Sequence, residues 1–510
     1  MPGLRAVTAP GPVVGREKLI GFRADLYRCL RRRADALFEL ADAVLTTSGP
    51  VHSLVELSLA KAFRRGHGAL YDALADGEVD AEMLAGLLAS SWESPDAGPV
   101  KIAVDTSAWP RPDAVTSPQL CHCYTTCRCD GSRKTIPGWP FSFAAGLEWG
   151  ATSWTALLDA VRIGPNDDAT VLTVAQIAAV QARLATAGTL CGRPATVAAF
   201  DSGYDLTRIA YLVGQQELGV QVLGRVRADR VFYTPAPQHR AAGRCGRPPR
   251  HGDRFELSNP ATLPPADEHA SAHNPRYGTV AVDAWHGLHQ KLARQAGWAD
   301  FTGVLPIVAG TLIRIQVQHL PGNRTPDDVW LWHHAPAGTV FDLDLLWKTY
   351  LRRFDLEHTF RLLKSVLGWT APHIRTPEQA QRWTWLILAV HTQLRLARGL
   401  TADLRRPWEG PIPAGRPLTP GRVRRSFPQL RRHLGTPAAR PKPTTAGPGR
   451  PKGTTRPPRT RYPVGKNKPT TGKSEPPKPE INGSGGPGGS HPRAPTERSV
   501  TVSRHSALLI

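Results

Sequence analysis

The chain has 510 residues, enough for two or three folded units, and 41% hydrophobic content with fourteen tryptophans predicts substantial burial. Its net charge of +22 is concentrated at one end: residues 401–510 carry 22 Lys and Arg against 5 Asp and Glu, leaving a net of only +5 for residues 1–400. No run of about eighteen apolar residues marks a membrane span, the N-terminus lacks a signal-peptide core, and seven cysteines argue against a disulfide scaffold, so a reducing cytoplasm is expected.

In chain order, residues 17–98 read as a helical region. ADLYRCLRRRADALFELADAVL and SLVELSLAKAFRRGHGALYDALADG repeat apolar residues at three and four spacing, and Pro95 and Gly98 close the segment. Such a bundle suits DNA binding or plain packing. KIAVDTSAW at 101–109 and FSFAAGLEWG at 141–150 have strand character. DATVLTVAQIAAVQARLATAG at 168–188 predicts a long helix ending at glycine, and ATVAAFDSGYD at 195–205 a buried strand leading into Asp201. The order strand, strand, helix, strand predicts a mixed α/β domain over 99–205.

Residues 206–344 change character. QVLGRVRADRVFY, YGTVAVDAWHGL, GTLIRIQVQHL and DVWLWHHA are β-rich and separated by Pro- and Gly-bearing loops, which predicts an inserted β-rich subdomain. Residues 345–400 return to helices. YLRRFDLEHTFRLLKSVLGW, 350–369, predicts one amphipathic helix with Leu356, Phe360, Leu363 and Leu367 on its apolar side. A second helix covers 378–400. Residues 401–435 form a basic extension. Residues 436–510 read as a disordered Pro- and Gly-rich basic tail, since 21 of the 48 prolines lie beyond residue 400. A basic arm of this kind suits a polyanion, above all nucleic acid.

Three carboxylates carry the chemistry. Asp105 and Asp201 are expected at the ends of hydrophobic strands, where functional side chains of α/β sheets gather, although a lone aspartate there is commonly a cap. Glu357 shares a helical ridge of about 60° with Tyr350, Arg353 and Lys364. Three carboxylates from separate segments can hold two Mg²⁺ or Mn²⁺ ions about 3.5–4 Å apart at a phosphodiester, and hard oxygen ligands suit those ions. Nearby Asp113, Asp205 and Asp355 compete for these roles, the first two from following loops and the third from the far side of the helix. The same four ridge residues also make ordinary surface pairs in many helices.

VDTSAW, FDSGYD and Y-x2-R-x3-E-x6-K in that order resemble bacterial insertion-sequence DDE transposases, supported by PGWPFSF at 137–143 and GRPPRHGDRF at 246–255. The resemblance runs from about residue 17 to 400. It implies a ribonuclease H-like catalytic domain interrupted by a β-rich insertion before the glutamate. It further implies Asp105, Asp201 and Glu357 as metal ligands, Tyr350, Arg353 and Lys364 as DNA contacts, and a homodimer that pairs double-stranded element ends. The expected activity is metal-dependent cleavage at terminal inverted repeats and strand transfer into target DNA, in a bacterial cytoplasm at the nucleoid. A related endonuclease that cuts without joining and a non-catalytic DNA-binding derivative are the alternatives.

Three further features are weaker. CHCYTTCRCD holds Cys121, Cys123, Cys127 and Cys129; it reads as a reduced loop, with zinc as the less typical alternative for C-x-C pairs. Trp285, Trp298, Trp330 and Trp332 offer either base stacking or core packing. GPGRPKG at 447–453 places Arg450 and Lys452 in a GRP element suited to a narrow minor groove.

Overall fold

The computed structural model describes residues 12–94, 96–126, 133–150, 152–237, 248–274, 277–320, 326–443, 451, 453, 455 and 458–465. The chain begins with helices α1 (Pro12–Cys29), α2 (Ala34–Thr46), α3 (Leu54–Ser58), α4 (Gly68–Asp76) and α5 (Ala81–Ser90). Two very short strands, β1 (Leu30–Arg32) and β2 (Glu78–Val79), pair between them. Their apolar faces share one core with helices from the other end of the folded chain, α10 (Pro377–Ala397) and α11 (Pro420–Arg431), through Leu19, Phe22, Leu40, Leu386, Leu394, Val423 and Phe427. Arg23, buried in this core, donates to Asp42 and Gln393 at 2.7 Å each, and Arg431 reaches the same Asp42. A buried pair of this kind costs desolvation and needs several hydrogen bonds to break even. Here it fixes the N-terminal helices to the C-terminal ones.

The sheet is built next, from β3 (Lys101–Pro110), β4 (Cys121–Thr126), β5 (Arg133–Leu147) and β6 (Thr155–Arg162). Helix α6 (Ala169–Thr186) follows, then β7 (Thr196–Phe200), α7 (Leu206–Gln215) and β8 (Val220–Val226). Within it the order β6–β5–β3–β7–β8 places parallel β3, β7 and β8 beside antiparallel β5 and β6. Every residue of β7 is buried, as an unbroken apolar run predicts for a strand covered on both faces. Asp168 caps α6 by accepting from Thr170 and Val171 N–H. By length and composition α6 could cross a membrane, yet Val174, Ile177, Val180 and Leu184 are buried in the sheet's core cluster.

Two local expectations change. Cys121 and Cys123 lie on β4, an edge strand paired with β5, rather than in a loop. The strand expected at 141–150 is the later part of the longer β5, and its partner β6 has no counterpart in the sequence reading.

The stretch 206–344 opens with α7 and with β8, which belongs to the parallel centre of the sheet. The β-rich part starts after Val226 with β9 (Val231–Tyr233) and β10 (Arg254–Glu256), a separate small pair. Strands β11 (Glu268–Asn274), β12 (Gly278–Leu288), β13 (Gly310–Val317) and β14 (Val329–His334) then return towards β8. They add antiparallel in the order β8–β14–β13–β12–β11, so the inserted strands extend the central sheet to ten strands instead of closing on themselves.

The expected helix over 350–369 is divided. Helices α8 (Leu343–Arg352) and α9 (Phe354–Ser365) meet at Arg353, whose N–H still bonds Thr349 and Tyr350 carbonyls. Leu356, Phe360, Leu363 and Leu367 are all buried, as their spacing implies. Phe360 meets Phe143 of β5 edge to face at 5.1 Å, and Trp369 packs against Phe141, Phe143 and Trp109. These aromatic contacts seat α9 on the sheet. The tail also departs from a wholly disordered expectation where it is described. Ala438 and Ala439 carbonyls accept from Arg64 and Arg65, and Tyr462 and Gly465 N–H bond Val115 and Leu120 carbonyls beside β4.

Candidate active site

Three elements converge on one guanidinium. Asp105 does not end its strand: it sits mid-way along β3, opposite Phe143, two residues past the last parallel pair with β7. Asp201 follows β7 directly, as expected. Glu357 lies in the first turn of α9. Arg353, at the α8–α9 junction, places Nη1 3.1 Å from Asp105 Oδ2. Its Nη2 is 3.2 Å from Glu357 Oε1 and 3.6 Å from Asp201 Oδ1. The residue is 6% exposed. Its Nε is buried and makes no geometrically sound hydrogen bond among the described residues.

The electrostatics follow from this crowding. Burial pushes the Asp105 carboxyl up to about 6, with Asp201 and Glu357 adding to the rise and Arg353 opposing it. Glu357 is raised for the same first reason. Asp105 Oδ1 also accepts the Thr106 N–H at 2.8 Å. Asp201 and Glu357 are more open to solvent than Asp105, with side chains 42%, 38% and 19% exposed.

The competing acids take other work. Asp205 caps α7 by accepting from Arg208 N–H. Asp113 lies in solvent, 3.8 Å from His373. Asp355 is buried on the opposite side of α9, with Arg352 Nη2 2.7 Å from its Oδ2.

The helix ridge is only partly what its spacing implied. Tyr350 is buried on α8 with its ring 5.6 Å from the Arg353 guanidinium carbon, and burial raises its hydroxyl to about 12. Lys364 is exposed in the last turn of α9, its ammonium 5.7 Å from the Trp369 ring centre, and among the described residues it pairs with no carboxylate. Arg353 points inward at the acids, so in this conformation it is a counter-ion and not a surface DNA contact. Sequence reasoning missed Tyr204, whose hydroxyl stands 3.1 Å from Thr106 Oγ1. Burial, then the Asp105 charge, raise that phenol and keep it protonated. Its position three residues after Asp201 in FDSGYD was the available signal.

The remaining candidates settle differently. Trp285, Trp298, Trp330 and Trp332 are buried and pack the core. Cys121 and Cys123 are free buried thiols, pushed up to about 11 and about 12 by burial. Cys127, Cys129, Arg450 and Lys452 lie outside the described residues.

Residues 25–291 match the family model described as DDE superfamily endonuclease. The chain belongs to this family. The match contains Asp105 and Asp201 and stops before Glu357, which joins them only through the fold. Among solved structures, the chain is similar to a piggyBac transposase in a synaptic complex with hairpin DNA. That likeness has 7% identity and a TM-score of 0.39, covering 85% of this chain and 83% of the other. No curated protein matches the chain.

DDE superfamily enzymes generally use divalent ions, and the acids present suit one by chemistry. They supply carboxylate oxygens without imidazole or thiol, the preference of Mg²⁺ or Mn²⁺. Their spacing is set by something else. Among the described residues no group of three or more His, Cys, Asp and Glu is arranged to hold an ion. The Arg353 contacts of 3.1–3.6 Å are instead guanidinium distances, well beyond the roughly 2.1 Å of a Mg²⁺–oxygen bond.

Proposed function

We propose that this DDE endonuclease is an insertion-sequence transposase with a ribonuclease H-like catalytic core. It would bind the terminal inverted repeats of its element, hydrolyse a phosphodiester there and transfer the freed strand into target DNA. The observation carrying this reading is the convergence of Asp105, Asp201 and Glu357 from β3, the end of β7 and α9. The strand order β6–β5–β3–β7–β8, interrupted before the glutamate helix, supports the core assignment.

Asp105, Asp201 and Glu357 would hold one or two Mg²⁺ or Mn²⁺ ions. When bound, these supply activation of a water or 3′-hydroxyl and stabilisation of the leaving oxygen. The chain's own residues position that chemistry. Thr106 N–H fixes the outer oxygen of Asp105, α9 carries Glu357 across from the sheet, and the Phe143–Phe360–Trp369 packing holds α9 in register. Exposed Lys364 lies along the same helix and suits a phosphate beside the site. Pairing two element ends makes the working unit at least a dimer on double-stranded DNA, in the bacterial cytoplasm at the nucleoid.

The test is cleavage and joining of element-end duplexes with Mg²⁺ by the full chain. Cutting with joining supports the transposase, and cutting alone makes the chain a nuclease. Binding without cutting makes it a DNA-binding derivative. Glu357→Gln should lower cleavage by on the order of a hundredfold or more while leaving the fold intact. Unchanged cleavage refutes the ligand assignment.

A further inference from the structure

We infer that Arg353 occupies the ion position of the DNA-free enzyme and leaves it for a DNA phosphate, so that DNA binding and divalent-ion binding are coupled. The inference rests on the proposal that Asp105, Asp201 and Glu357 hold the ion. It starts from the position of the guanidinium, which contacts all three carboxylates and is shut from solvent.

Charge explains why something must stand there. Three carboxylates brought within reach of one buried point repel one another. A single guanidinium offsets one of three charges and reduces that repulsion. A divalent ion would do the same work more fully, at shorter distances and using the same oxygens. The two cannot share the acids' inner faces. Ligation at about 2.1 Å needs the space that the two Nη atoms fill, and a guanidinium left beside a dication would be repelled by it.

The arginine is also incompletely satisfied where it sits. Nε is buried and, among the described residues, makes no geometrically sound hydrogen bond, which is costly for any buried donor. A backbone phosphate offers that acceptor, in the planar two-point geometry that guanidinium groups match. Arg353 stands at the α8–α9 junction, so it can turn from the acids without moving the buried stripe of α9. The exchange is balanced in charge: the acids take a dication as the arginine takes a phosphate. Each ligand then favours the binding of the other, and by linkage the effect is reciprocal.

The experiment measures Mn²⁺ binding directly, from the electron paramagnetic resonance signal of free Mn²⁺, with the full chain and with Arg353→Gln. Each is measured alone and with a duplex oligonucleotide saturating the protein. Without DNA, Arg353→Gln should bind Mn²⁺ tighter than the unsubstituted chain by on the order of tenfold. With DNA the unsubstituted chain should tighten by a similar factor and the variant should change little. Equal or weaker Mn²⁺ binding by Arg353→Gln, or the same DNA response in both proteins, overturns the inference. Asp201→Asn keeps the two readings apart. If it leaves Mn²⁺ binding intact, the ligand assignment fails; if it removes binding while the Arg353→Gln affinity is unchanged, only the exchange fails. Arg353→Lys retains a charge on a shorter fork-less side chain and covers poor folding of the Gln variant. It should bind Mn²⁺ tighter than the unsubstituted chain without DNA, and equal affinity counts against the exchange.

Discussion

Gly368 ends the segment that carries Glu357, and its replacement by alanine separates two costs that are commonly confounded. Its φ is +69°, in the left-handed region where a non-glycine residue costs about 1–2 kcal/mol. A Cβ there would also lie 2.7 Å from both the Cβ and the carbonyl oxygen of Val51, whose N–H bonds Val366 O at the end of α9. Backbone cannot yield as a flexible side chain does, so the contact should add a further cost of about 1–3 kcal/mol. Gly188 supplies the control: its φ is +74°, and nothing lies within 4 Å of a Cβ built on it. Gly188→Ala should therefore show the dihedral cost alone. Urea unfolding of the full chain, followed by circular dichroism, gives the two losses on one scale. Gly368→Ala should lose about 1.5 to 4 times as much as Gly188→Ala, and its cleavage should fall as α9 shifts. Equal losses refute the argument that the α9 terminus is held against the N-terminal helices by close backbone packing.

Two further outcomes follow from the site's surroundings. Asp355 is buried beside Glu148, and burial first, then that neighbour, push it up to about 7 against an ordinary 3.8, with Arg352 opposing. Its native form therefore holds a proton that the unfolded chain has lost between about pH 4 and 7. Its contribution is fully present below pH 4 and is lost as pH rises to 7, by up to about 1.4 kcal/mol per pH unit. Asp355→Asn should remove that slope, so the variant gains stability relative to the parent between pH 5 and 7; parallel profiles from thermal melts at each pH would sink the assignment. Tyr204→Phe removes the hydroxyl that shares a hydrogen bond with Thr106 Oγ1 and should cost about 1 kcal/mol in urea unfolding, while a loss below about 0.3 kcal/mol would show that the bond contributes nothing.

Much of the scaffold is legible in the sequence. Local periodicity reports which face of an element is buried, so the unbroken run in β7, the pattern of α6 and the stripe Leu356, Phe360, Leu363, Leu367 all read correctly. Periodicity does not report a partner. For that reason β6 has no counterpart in the sequence reading, the cysteine segment reads as a loop although it is the edge strand β4, and nothing in the β-rich insertion signals that its strands extend the main sheet.

For the site, the sequence by itself determined the order of Asp105, Asp201 and Glu357 along the chain and the four-residue spacing that sets Glu357 beside Arg353. Only the tertiary structure decided what that ridge faces. Arg353 and Asp105 are 248 residues apart, and their contact exists because β3 lies centrally in the sheet while α9 crosses it on an aromatic seat. Spacing along a helix specifies a direction, whereas a buried charge is defined by everything that closes around it. That is why a cation expected to face DNA is found among carboxylates.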